Sequence, residues 1–154
     1  MTSESGDIRE QRAEDILPAP VAELEASVSE ACASPGEWPA QIAAGVYAGI
    51  GFAIENPQLV ELLLVDSSDG SGLSGRVVAR LTAMVRSKAP AAMRLPGSSD
   101  EALVASVVSL VGDHVRLGRL ERLAELRPDL VLLTLLPYLG FADAQGWANR
   151  TAPA

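Results

Sequence analysis

Residues 99–140, SDEALVASVVSLVGDHVRLGRLERLAELRPDLVLLTLLPYLG, decide the fold. In their first half apolar residues recur at spacings of three and four, in two stripes: Leu103, Val107, Leu110 and His114, and Val104, Val108, Val111 and Val115. That is the period of an α-helix. A third stripe is small: Ala102, Ala105, Ser109 and Gly112. Ser98-Ser99-Asp100-Glu101 fits a capping box, and Gly118 supplies a stop, so the spacing predicts a helix from 99 to Leu117. A helix apolar or small over most of its circumference needs partners on two sides, one in the domain core and the other on a second subunit. After a charged helical turn over 119–126, Pro128-Asp129 opens a further helix in which Leu130 to Leu136 leave only Thr134 polar. Pro137 is expected to kink or end it, because a proline ring clashes with the carbonyl four residues back. An amphipathic tail with Phe141 and Trp147 follows.

Working outward from this stretch gives more helices and no sustained alternation of period two. Val21, Leu24, Val28 and Ala31 define a thin stripe over 20–33. Trp38-Pro39 starts a helix over 38–55, with Trp38, Ile42, Val46, Ile50 and Ile54 on one stripe. Gly45, Gly49 and Gly51 lie inside it, at roughly 1 kcal/mol each relative to alanine. Close helix packing or room for a ligand should offset that cost. Asn56-Pro57 signals a restart, with Asn56 as N-cap of a short, densely apolar helix over 57–66. Residues 66–75 are loop-forming, and a helix over 73–89 follows with Val77, Leu81, Met84 and Val85 inward and Arg76, Arg80 and Arg86 outward. The chain is expected to be all-α, with one domain over 18–149, a polar arm over 1–17 and a disordered tail over 150–154.

Composition narrows the function. The 154 residues are 48% hydrophobic and 21% charged, enough for one domain burying roughly 70% of the surface its unfolded chain exposes. Twenty acidic residues against twelve basic ones give a net charge of −8. Most of the surplus lies in residues 1–30, where Glu4, Asp7, Glu10, Glu14, Asp15, Glu23, Glu25 and Glu30 face only Arg9 and Arg12. Phosphate neutralisation needs clustered Lys and Arg, so no direct nucleic-acid contact is expected. Apolar runs fall far short of the ~20 residues of a spanning helix, so no membrane insertion is expected. A single cysteine, Cys32, excludes an intramolecular disulfide and suits a reducing compartment, with a cytoplasmic location as the default.

No catalytic constellation stands out, and the chain is not expected to be an enzyme. One His and one Cys, without HExxH or CxxC spacing, offer no metal site, and no cofactor is expected. Ser71 and Ser74 lie in a glycine-containing loop without the strand and His partner of a nucleophile elbow. Asp113 and His114 are adjacent, which on a helix points them about 100° apart rather than into a dyad. Cys32 reads as a small buried hydrophobe. Arg116, Arg119, Arg122 and Arg127 interleave with Glu121, Glu125 and Asp129, the pattern of a salt-bridged surface.

From Trp38 onward the order of signals is similar to the C-terminal domain of tetracycline-repressor (TetR) family transcriptional regulators. The residues that carry this are GEWPAQIAAGVYAGIGFAIENPQLVELLLVD (36–66), the charged helix ending near Lys88, and the stretch 99–140. The resemblance covers about 20–145. It implies a TetR C-terminal-domain-like helical bundle that binds a small apolar ligand between its helices. It also implies a homodimer, formed through segments 99–117 and 128–147 as a four-helix interface. Carried onto this chain, it suggests Tyr47, Gly51, Leu62, Met84, Val108 and His114 as ligand contacts. Ala105, Ser109, Gly112, Leu132, Leu136 and Tyr138 are the corresponding interface residues. The family's helix-turn-helix has no counterpart here, and the acidic arm stands in its place. A ligand-sensing and dimerising domain is therefore expected. The alternatives are a stand-alone carrier or interaction module, and a headless partner that pairs with a complete regulator.

Overall fold

The computed structural model describes residues 19–65, 73–90 and 99–152. They form helices and no strand. The order is α1 (Ala19–Cys32), α2 (Trp38–Glu55), α3 (Pro57–Val65), α4 (Leu73–Lys88), α5 (Ser99–Arg116), α6 (Leu120–Glu125), α7 (Arg127–Leu139) and α8 (Phe141–Thr151). Among the described residues, no helix is long and apolar enough to cross a membrane.

The central element is α2, which touches all seven other helices. Its start is set by Pro39 in the first turn, where a missing N–H costs nothing, and by Gln41 Nε2, which donates to the Ser34 carbonyl at 3.1 Å across the preceding turn. At its end, Asn56 donates to the Phe52 carbonyl twice, from the backbone N–H at 2.9 Å and from the side-chain Nδ2 at 3.0 Å. The expected N-cap of α3 thus works backward. The Asn56 amide satisfies a carbonyl left over at the end of α2, one of the orphan groups of any helix terminus.

Among the described residues the core falls into three clusters. One joins α1, α3 and α4 through Val21, Leu24, Val28, Leu59 and Val77. Another joins α2 to α7 and α8 through Ile42, Ala43, Val131, Leu135, Ala144 and Ala148. The last lies at the far end of α2, where Ile50 and Ala53 meet Val60, Val115, Leu123 and Leu130. Residues 18–149 were expected to be one domain, and the shared helix α2 links all three clusters within the described part.

Several local expectations need correction. α7 continues through Pro137 to Leu139 and stops at Gly140, whose φ of 76° is the left-handed conformation glycine adopts freely. Pro137 sits in the last turn, where only one intrahelical bond is lost. α8 runs on to Thr151, so positions 150 and 151 are helical rather than part of a disordered tail. The arm over 1–17, Ser71 and Ser98 lie outside the described residues. Arg86, expected outward, turns its guanidinium onto Asp100. Before and after the charged turn, Arg116 pairs with Asp113 at 3.3 Å, and Arg127 donates to the Ala124 carbonyl at 3.0 Å.

Candidate functional site

A cavity of about 730 Å³ lies between α1, α2, α4 and α5, with α3 closing one side. Its volume falls in the ~300–1,000 Å³ range of pockets that enclose a drug-sized molecule. Gly45 and Gly49 explain how α1 and α2 come together along one edge. A Cβ on Gly45 would collide with Cys32 Sγ, and one on Gly49 would stand 3.3 Å from Val28 Cγ2. The same two positions line the cavity, so the absent side chains serve both close packing and open space. Opposite them are Leu81, Met84 and Val85 of α4 and Val104, Val108 and Gly112 of α5. The lining is aliphatic nearly throughout. Thr134 is a polar exception, and its hydroxyl donates to the Leu130 carbonyl at 2.8 Å.

The structure brings together some of the expected ligand contacts and not others. Met84 and Val108 line the cavity. Leu62 lies in α3, and its side chain is outside the described residues. Tyr47, Gly51 and His114 are not lining residues. Helical geometry gives the reason. Tyr47 and Gly51 each lie two positions beyond a cavity-lining glycine, a rotation of about 200°, which carries them to the opposite face of α2. The Tyr47 ring accordingly packs toward α7 and α8 with the Arg127 guanidinium 5.2 Å from its centroid. Its hydroxyl is buried and has no hydrogen-bond partner among the described residues, and desolvation raises its pKa, against the lowering effect of Arg127. A Cβ on Gly51 would meet nothing within 4 Å. His114 is six residues, or about 240°, beyond Val108. Its Nδ1 lies 2.8 Å from the Leu110 carbonyl, while Asp113 turns to Arg116, so the adjacent pair forms no dyad.

The residues expected at a subunit interface divide in the same way. Ala105, Ser109 and Gly112 line the cavity; the first two are also exposed, which marks the opening beside α5. Leu132 and Leu136 are half-buried on α7, and Leu132 packs against the α2–α7–α8 cluster. Tyr138 belongs to the interior of the chain. It is 8% exposed, its ring meets Trp38 edge-on at 6.0 Å, and its hydroxyl donates to Asp100 Oδ2 at 2.9 Å.

Asp100, which does not line the cavity, makes contacts beside it of which the sequence carried no sign. Its carboxylate accepts from Arg86 of α4, with Nη2 at 2.7 Å, from Tyr138 of α7, and from the Glu101 backbone N–H at 2.9 Å. One buried carboxylate, next in sequence to the lining residue Glu101, thereby fixes the start of α5 to two other helices. The Arg86 guanidinium is the main reason its pKa falls to about 2, with burial opposing and the other two hydrogen bonds assisting. Cys32, expected as a small buried hydrophobe, is 4% exposed and lines the cavity; burial raises its pKa, keeping the thiol protonated. Among the described residues, no three His, Cys, Asp or Glu side chains converge as metal ligands. Compared with known protein families, with curated proteins and with solved structures, the chain matches none.

Proposed function

We propose that this chain is a ligand-sensing domain that encloses a small apolar molecule in the cavity between α1, α2, α4 and α5 and acts as a dimer. The observation that carries the proposal is the 730 Å³ cavity with its aliphatic lining. Space of that size costs the fold packing energy that a ligand would restore. The resemblance of residues 20–145 to the C-terminal domain of tetracycline-repressor family regulators supports the same reading. So do the exposed apolar side chains Leu110 and Leu117, in the first segment assigned to the dimer interface, and Phe141, in the second. α5 then has two roles, since it walls the cavity and faces the second subunit. Occupancy would shift the population between two settings of that helix, and hence the relative orientation of the two subunits. Binding without turnover is the proposed activity.

The test is titration with N-phenyl-1-naphthylamine, a neutral dye that brightens in apolar surroundings. Saturable uptake of one dye per chain is expected, abolished by Val108→Phe, which adds volume into the cavity. Sedimentation at micromolar concentration should give a dimer. A monomer would remove the interface from the proposal, and absence of dye uptake would remove the ligand.

A further inference from the structure

We infer that the cavity selects an uncharged aliphatic alcohol, whose hydroxyl donates to Thr134. This rests on the reading of the cavity as a ligand site and specifies its ligand. Among the described lining residues none is aromatic, so nothing favours a flat ring by stacking, and the walls suit a saturated body. The charges around the space favour an ion of neither sign. Glu101 is the one charged side chain of that lining, and it is exposed in the first turn of α5, where the positive helix end offsets it. Lys88 does not line the space, but its charge reaches Cys32, which does. Arg86 and Asp100, also outside the lining, pair with each other. A charged head group drawn inside would leave water with no buried opposite charge to meet it among the described lining residues.

Thr134 is the one buried hydroxyl of that lining, at 5% exposure, whereas Ser74 is half-buried and Ser109 exposed. Its own hydrogen is committed to the Leu130 carbonyl, and among the described residues nothing donates to its oxygen. A hydroxyl oxygen carries two acceptor lone pairs, so what Thr134 still offers a ligand is an acceptor and not a donor. It interrupts the aliphatic run from Leu130 to Leu136, where valine would supply nearly the same shape without the oxygen. A ligand O–H completes the bond. An ether on the same hydrocarbon body brings a second acceptor, and the Cys32 thiol, the other buried polar group of the lining, is only a weak donor to it. Thr82 provides an internal comparison. It is 2% exposed, its hydroxyl donates to the Val78 carbonyl at 2.7 Å in the same way, and it does not line the cavity.

The isomers 1-undecanol and 1-methoxydecane, which differ in whether the oxygen carries a hydrogen, test this together with undecanoate, each displacing bound N-phenyl-1-naphthylamine below its micellar or solubility limit. Undecanol is expected to bind tightest, by about fivefold over the ether, the size of one neutral hydrogen bond. This order is read in the parent chain and needs no variant to fold. Thr134→Val should erase the margin by weakening undecanol and not the ether, Thr134→Ser should keep it, and Thr82→Val should leave it intact. Ether or carboxylate binding as tightly as the alcohol in the parent chain, equal weakening of alcohol and ether by Thr134→Val, or the same loss from Thr82→Val would each overturn the inference while leaving the cavity reading in place. Dye that never binds would overturn both.

Discussion

The two faces of α2 are packed in opposite ways. On one, α7 and α8 close against it so completely that Val131, Leu135 and Ala144 have no exposed surface. On the other, α1 touches it through two glycines, and α4 and α5 stand off around a 730 Å³ space. Aliphatic and small residues dominate both faces, but the bulky aromatic side chains Trp38, Tyr47, Tyr138 and Trp147 all belong to the solid one. Hydrophobic composition therefore sets which segments are buried, while the placement of side-chain volume sets whether the buried region is solid or hollow.

Mutations can break this contrast or sharpen it. The largest effect is expected on the solid face, where Leu135→Ala should cost about 2–5 kcal/mol in denaturant unfolding, because the surrounding side chains cannot collapse into the void. Val108→Ala, on the wall of an existing space, should cost much less, and equal costs would mean that the two faces do not differ. Next comes Gly45→Ala, where the new methyl meets Cys32 Sγ. Overpacking of this kind should cost about 1–3 kcal/mol and also weaken dye uptake, by pushing α1 away from α2. Adding Cys32→Ala should recover part of both losses.

Asp100→Asn should cost about 1 kcal/mol, kept small because Arg86 is 43% exposed and its pairing is screened. The pH dependence follows from the lowered pKa. Asp100 stays ionised in the folded chain at pH values where its unfolded counterpart has taken up a proton, so its contribution is complete above about pH 4. It is lost as the pH falls toward about 2. An acid-unfolding series should show this loss in the parent chain and not in Asp100→Asn. The smallest effect has the opposite sign. Gly51→Ala adds a methyl to open space on a helix and should stabilise by about 0.5–1 kcal/mol.

Much of the helical framework was legible because its signals are local. Trp38-Pro39 and Asn56-Pro57 bracket α2 at the residues where the structure starts and stops it, and Gly118 ends α5 with positive φ. The orientation of α2 was not legible. With apolar or small residues around its whole circumference, periodicity could not separate the Gly45–Gly49 face from the Tyr47–Gly51 face. The four-residue spacing of Gly45 and Gly49 was the available clue, since it puts two missing side chains on one line. The small stripe of α5 was likewise ambiguous, because small residues signal close approach or open space without naming the neighbour. Asp100 was beyond local reading altogether, as its partners lie fourteen and thirty-eight positions away.

Both tryptophans of the chain, Trp38 and Trp147, belong to the solid side; Trp38 sits against Tyr138, and Trp147 lies under the Arg150 guanidinium at 4.2 Å. Neither lines the cavity. The protein thus contains an optical reporter that its candidate ligand does not touch, joined to the start of α5 through Tyr138 and Asp100. An emission change on filling the cavity would not come from direct contact, and its size would measure how far a disturbance in the hollow part of the chain is carried into the solid part.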